Sequence, residues 1–137
     1  MKIIGFNYTK VSAERVAKWQ PIKNINTNIQ FIDIVKDEVE AIKDLEVIRL
    51  SFKFDVHYEP KNATISLEGL LFLNLDSNES KEVIKQWSKK KEVAESLRNA
   101  VVKFLWKKCN LKAFQLEEEL NIPTHLQLPQ ISFKAQQ

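Results

Sequence analysis

The chain has 137 residues, which is enough for one domain and too few for a second hydrophobic core. Apolar residues make up 44% and charged residues 28%, a globular balance that excludes a disordered chain. The net charge of +3 does not imply a nucleic acid or a membrane as the obligatory partner. The longest apolar run, residues 70–73, is far shorter than the roughly 20 residues that span a bilayer, so we expect no membrane insertion. The single cysteine, Cys109, excludes an internal disulfide, and we expect an intracellular, cytoplasmic protein.

The first half of the chain alternates apolar and polar residues with the period of two that is typical of strands. The alternation is clearest over residues 48–59 and recurs, after a turn, over residues 63–75. Two earlier strands are predicted over residues 2–10 and 25–34. In the latter, the change of parity at Phe31-Ile32 indicates either a bulge or a misplaced strand boundary. Because one strand face is apolar and the other polar, we expect an antiparallel sheet that is solvated on one side.

From about residue 80 the apolar residues recur with the period of a helix. Val83, Ile84 and Trp87 share one face of a short helix, and a second, long helix is predicted over residues 92–121. Its apolar stripe consists of Leu97, Val101, Leu105, Cys109, Ala113, Leu116 and Leu120. An extended strip follows over residues 122–137. The sequence therefore predicts a single α+β domain over residues 1–137: a four-stranded antiparallel sheet with a long amphipathic helix packed on one face.

The apolar surface of the long helix is wider than one sheet requires. Phe104 and Trp106 lie about 200° apart around the helix axis, with Val101, Val102 and Leu105 between them. We therefore expect one side of the helix to cover the sheet and the other to pair with a second copy. Val102, Phe104 and Trp106 are the predicted interface of a homodimer or homotetramer.

One polar row on a predicted strand combines residue types that bind metals or transfer protons. Asp55, His57 and Glu59 alternate along the same face of that strand. This face is predicted to be solvated, and no second histidine with a carboxylate lies opposite. We therefore predict neither a metal site nor catalytic residues here, while an enzyme built on this row remains a third hypothesis for the function.

Cys109, Asn110 and His125 are the residue types of a thiol nucleophile with its base and orienting amide. Cys109, however, lies in the apolar stripe of the long helix, where a small buried thiol is common. We therefore predict a packing role for it, and a protein that is not an enzyme and needs no cofactor.

Basic residues and tryptophans recur in the helical half of the chain. Residues 89–91 and 107–108 are lysines that could contact phosphates, but glutamates at 92, 95 and 117–119 offset them, so we do not expect nucleic acid as a partner. The simpler explanation of Trp19 and Trp87 is that each covers the core. Together with the apolar strip after Pro123, they are also what a groove for extended apolar polypeptide requires.

Short sequence blocks also occur in a characteristic order over nearly the whole chain. They begin with Tyr8-Thr9-Lys10 and Trp19-Gln20-Pro21 and continue with the Pro60 turn and Gly69. They end with Leu126-x-Leu128 and Ile131-x-Phe133. In this order of blocks the chain resembles the SecB family of export chaperones.

The resemblance implies a four-stranded antiparallel sheet with a long helix on one face, assembled as dimers or dimers of dimers. Proteins of this family are ATP-independent holdases for unfolded clients, and some relatives serve toxin–antitoxin pairs rather than export. The family is acidic, whereas this chain carries a net charge of +3, so binding to the translocation motor is not implied. The client-binding residues implied by matching positions are Trp19, Leu126, Leu128, Ile131 and Phe133, and the residue-based argument adds Trp87.

The favoured hypothesis is therefore an ATP-independent holdase chaperone that binds unfolded or extended apolar polypeptide, for export or for antitoxin protection. The alternative is a non-enzymatic oligomeric subunit with a structural or partner-binding role and no client. Suppression of the aggregation of an unfolded protein distinguishes the two, because only the first hypothesis predicts it.

Overall fold

A computed structural model describes residues 1–37 and 45–132 and contains one sheet followed by two helices. The strands are β1 (Lys2–Arg15), β2 (Asn24–Asp37), β3 (Leu45–Glu59) and β4 (Ala63–Asp76). The helices are α1 (Ser77–Lys90) and α2 (Glu95–Leu120). Residues 122–132 form neither helix nor strand. The predicted α+β architecture is confirmed, with strands β1 and β2 longer than their alternation indicated.

The sheet has the order β1-β4-β3-β2, and all three pairings are antiparallel. Strands β3 and β4 form its centre, and β1 and β2 form its edges. The register of β2 on β3 shifts between Phe31 and Asp33, within the strand, so the bulge rather than a misplaced boundary is confirmed. Strand β1 continues to Arg15 because its last residues still pair with the start of β4, so pairing rather than side-chain alternation decides where this strand ends.

The inner face of the two central strands forms the hydrophobic core. The residues that the alternation placed on this face are buried: Ile48, Leu50, Phe52, Phe54, Val56 and Tyr58 of β3, with Ala63, Ile65, Leu67, Leu71, Leu73 and Leu75 of β4. The outer face carries charged side chains, among them Lys53, whose Nζ lies 3.9 Å from Asp55 Oδ2. The predicted division into one buried and one polar face is therefore correct.

The two helices cover the inner face. Helix α1 begins where the Asp76 side chain accepts a hydrogen bond of 2.8 Å from the Glu79 N–H, and it ends at Lys91 in the left-handed conformation. Helix α2 has 26 residues and is about 39 Å long at 1.5 Å per residue. Its predicted stripe is buried from Leu97 to Leu116. Among the described residues, neither helix combines the length and the apolar character needed to cross a membrane.

Gly69 marks the closest packing between the sheet and its core. A Cβ atom at this position would collide with the backbone oxygen of Asn7 and lie 2.8 Å from Phe52 Cζ. We therefore expect Gly69→Ala to lower the free energy of unfolding by about 1–3 kcal/mol, measured by urea denaturation, because backbone atoms cannot give way. Gly5→Ala is the control, since its Cβ would lie 3.1 Å from the Phe72 ring. Equal losses in the two variants would contradict this explanation.

Candidate functional site

Tyr58, near the end of β3, is the residue at which Trp19 and the C-terminal segment meet. The rings of Trp19 and Tyr58 are 6.0 Å apart at an interplanar angle of 61°. The Tyr58 hydroxyl lies 2.6 Å from the carbonyl oxygen of Pro123, where the segment after α2 begins. The structure thus places two of the sequence elements that were predicted to bind clients against the same buried tyrosine.

The predicted client-binding residues of the C-terminal segment are accessible to solvent. Leu126 is half-buried, while Leu128 and Ile131 are 51% and 94% exposed. Trp19 is half-buried and packs against the core. Phe133 lies outside the described residues. These side chains could contact a bound polypeptide, and their role as client-binding residues stays a prediction.

A buried polar network holds the start of this segment on the core. The Glu117 carboxylate accepts a hydrogen bond of 3.0 Å from the His125 backbone N–H and lies 2.7 Å from both His125 Nδ1 and the Tyr58 hydroxyl. The other ring nitrogen of His125, Nε2, lies 2.6 Å from Asn110 Oδ1. The side chains of Glu117 and His125 are completely buried. Burying a polar group is costly unless hydrogen-bond partners replace the water that it loses. The Glu117 carboxylate and both ring nitrogens of His125 have such partners here.

The protonation of Tyr58 is consistent with this geometry. Burial first, and then the hydrogen bond to Glu117, raises the pKa of Tyr58. The Tyr58 hydroxyl therefore stays protonated and can donate a hydrogen bond to a neighbouring acceptor. Because Glu117 lies on α2, Tyr58 on β3 and His125 on the C-terminal segment, the network joins three parts of the chain.

Arg15 connects Trp19 to the end of α2. Its guanidinium carbon lies 4.9 Å from the centroid of the Trp19 ring, a cation–π distance. Its Nη1 donates to the carbonyl oxygens of Leu120 and Asn121, at 3.2 Å and 3.1 Å. These carbonyls have no partner within the helix, and a cation at the negative end of the helix dipole is favourable. Trp19 is therefore held in place through both Tyr58 and Arg15.

The burial of Glu117 was not predicted, because Glu117 was counted with Glu118 and Glu119 only as an offset to the nearby lysines. Of these three glutamates, Glu118 and Glu119 are exposed and Glu117 is buried. Glu117 follows Ala113 by four residues and so continues the buried stripe of α2. That four-residue spacing could have predicted that Glu117 is buried. The spacing alone was not sufficient, because a buried carboxylate needs hydrogen-bond partners that only the fold shows.

Of the three residues that could form a thiol active site, the structure brings together only Asn110 and His125. His125 binds Asn110 and Glu117, whereas Cys109 lies on the buried face of α2. Burial raises the pKa of the Cys109 thiol from 9.0 to about 12, the Tyr8 hydrogen bond opposing this shift. The thiol therefore stays protonated at neutral pH, as a packing residue would.

The polar row on β3 lines an open groove on the outer face of the sheet. Asp55 and His57 share this groove with Lys10, Lys53 and Ser66, so cations stand among the carboxylates. Glu59 is not among its lining residues. Within the described ranges, no three histidine, cysteine or acidic side chains are grouped as a metal site requires.

Trp87 lies apart from the other predicted client-binding residues. It is only 6% exposed and belongs to the core. It also bounds an open groove of about 670 Å³ at the junction of the two helices, which we call the elbow groove. The elbow groove is lined by residues 30–32 of β2, Trp87, residues 91–93 and Arg98. A direct contact of Trp87 with a client is thus limited to the part of its ring that faces this groove.

Both flanks of α2 contact the chain's own sheet. The Phe104 ring lies 5.7 Å from Phe6 of β1, and the Trp106 ring lies 6.4 Å from Phe54 of β3. Sheet residues therefore contact the helix at both edges of its apolar arc. Val102 is half-buried and Trp106 is 41% exposed. The predicted oligomer interface stays a prediction.

We expect Glu117→Ala to lower the free energy of unfolding by about 3–5 kcal/mol, because it leaves His125 and Tyr58 buried without their shared acceptor. Urea denaturation measures this loss. Limited proteolysis should cleave the segment that follows Pro123 faster in this variant than in the parent protein. The control Glu118→Ala changes an exposed neighbour and should stay within about 0.5 kcal/mol of the parent protein. Equal stability of the two variants would show that the network does not hold the segment.

No family model and no curated protein matches the sequence. Among solved structures, the chain is similar to a SecB-like chaperone of Mycobacterium tuberculosis in complex with a ChAD peptide from the HigA1 antitoxin. The TM-score is 0.50 and the sequence identity 19%, over 98% of this chain and 92% of the other. The four-stranded antiparallel sheet with its two helices therefore has the SecB-like fold that the sequence blocks implied.

Proposed function

We propose that this protein is an ATP-independent holdase chaperone, without enzymatic activity, that binds unfolded or extended apolar polypeptide. The observation that carries the proposal is the accessible apolar segment after α2, in which Leu128 and Ile131 are 51% and 94% exposed on a SecB-like fold. Large apolar side chains exposed along one anchored segment offer a contact surface to an extended apolar polypeptide.

The geometry supports reversible and promiscuous binding. Covering about 400 Å² of apolar surface contributes roughly 10 kcal/mol at 25 cal/mol per Å², and the ordering of a flexible client removes much of this gain. Micromolar affinity is therefore expected. Because the buried network holds the segment only up to His125, the residues beyond it can adapt to different clients.

The similar structure suggests the class of client. The Mycobacterium tuberculosis chaperone is bound to a peptide from an antitoxin. By analogy of fold, we propose that extended segments of partly folded proteins, either exported proteins or antitoxins, are clients of this chain.

A second candidate function is that of an oligomeric structural or partner-binding subunit without clients. It is favoured by the side of α2 that remains accessible, where Trp106 is 41% and Leu111 is 54% exposed. A homodimer or homotetramer fits both candidate functions, since a holdase of this fold can also assemble through α2.

The holdase proposal is tested by the aggregation of a reduced, unfolded model protein, followed by light scattering at stoichiometric ratios. The parent protein should suppress aggregation, and the double variant Leu128→Ser/Ile131→Ser should suppress it several-fold less because it removes apolar contact area. The control Ile4→Ser/Val11→Ser changes β1 residues that are 48% and 43% exposed and should retain suppression. No suppression by the parent protein would leave only the second candidate function.

The predicted oligomer is tested with Trp106→Glu. A buried charge at a subunit contact is costly, so this variant should shift a micromolar sample from dimer or tetramer to monomer in multi-angle light scattering. Lys107→Glu, at an exposed neighbouring position, is the control for the change of charge. A monomeric parent protein at the same concentration would contradict the predicted interface.

A further inference from the structure

The elbow groove, defined above, combines an apolar floor with a basic rim. Trp87 and Val93 are 6% and 9% exposed and form the floor, with the half-buried Phe31 beside them. Ile32 stands at the edge and is 52% exposed. A volume of about 670 Å³ is enough for one or two large side chains of a bound chain.

Two cations, Lys91 and Arg98, line the groove. The Nζ atom of Lys91 lies 5.2 Å from the centroid of the Trp87 ring, and the backbone N–H of Lys91 donates to the Trp87 carbonyl oxygen at 3.0 Å. Arg98 lies in the first turns of α2. Over the described ranges, neither Lys91 nor Arg98 forms an ion pair with an acidic side chain. The one carboxylate among the lining residues is that of the exposed Glu92. Lys91 and Arg98 thus place two cations at the rim of an apolar floor, opposed by the carboxylate of Glu92.

From this arrangement we propose that the elbow groove is a client subsite selective for apolar segments that carry an aspartate or glutamate. A large apolar side chain of the client packs on Trp87 and Phe31, and the neighbouring carboxylate is held by Lys91, Arg98 or both. This inference rests on the proposed holdase function and adds the charge of the preferred client. Because the groove combines an apolar floor with two cations, a peptide that carries both an apolar and an acidic side chain is the occupant that we assign.

The test uses the full chain and three labelled peptides of about ten residues. They share a central Phe-Leu pair flanked by aspartate, asparagine or lysine, and affinity is measured by fluorescence anisotropy at low and at high salt. The aspartate peptide should bind about tenfold tighter than the asparagine peptide at low salt, and this ratio should fall at high salt. The lysine peptide should bind most weakly.

The variant Lys91→Gln/Arg98→Gln should bring the ratio of aspartate to asparagine affinity close to one. The matched control, Lys89→Gln/Lys90→Gln, removes the same charge from exposed neighbours that do not line the groove and should keep the ratio. Glu92→Gln should raise the affinity for the aspartate peptide, a gain that misfolding could not produce.

The outcomes separate this inference from the proposed function. Equal affinities for the aspartate and asparagine peptides, or the same loss of ratio in the control variant, would overturn the charge preference and leave peptide binding intact. Tighter binding of a single-stranded oligonucleotide than of any peptide, abolished by Lys91→Gln/Arg98→Gln, would also overturn the assignment to a peptide. No binding of any of the three peptides would overturn both the subsite and the holdase proposal.

Discussion

The burial of one face of β3 and β4 under α2 is the constraint on which the rest of the structure depends. The completely buried side chains of this interface include Phe52, Phe54 and Leu71 on the sheet and Leu105 on the helix. At the end of this face lies Tyr58, whose ring belongs to the core but whose hydroxyl must find a partner. The Glu117 carboxylate and the Pro123 carbonyl oxygen are the two acceptors within its reach. The packing of the core therefore also determines where the C-terminal segment starts.

The two ends of α2 then acquire different chemistry. At its C-terminal end, Arg15 binds the free carbonyls, and the network of Glu117 and His125 holds the following segment. At its N-terminal end, no side chain caps the helix, and Lys91 and Arg98 bound an apolar groove. One long helix therefore connects an anchored apolar segment to a basic groove, an arrangement suited to a client that contacts the surface at several points.

Much of the fold was accessible from local patterns. The strict alternation of β3 and the four-residue spacing of the α2 stripe are direct consequences of backbone geometry, so they identified the buried faces of both elements. The same reasoning correctly placed Cys109 in the core. It also placed Trp87 on the apolar face of its helix, where the structure buries it. It did not identify Glu117 as buried, because contacts from other elements decide the burial of that carboxylate.

The sequence by itself determined the type and order of the elements, the face that each strand and helix buries, and the change of parity in β2, because these depend on the local period of apolar residues. Only the tertiary structure decided that Tyr58, Glu117, His125 and Asn110 meet, and that Lys91 and Arg98 share a groove with Trp87. These residues are brought together by the crossing of α2 over the sheet and by the turn between the helices. These contacts are between residues that are far apart in the sequence, so the local spacing of apolar residues cannot predict them.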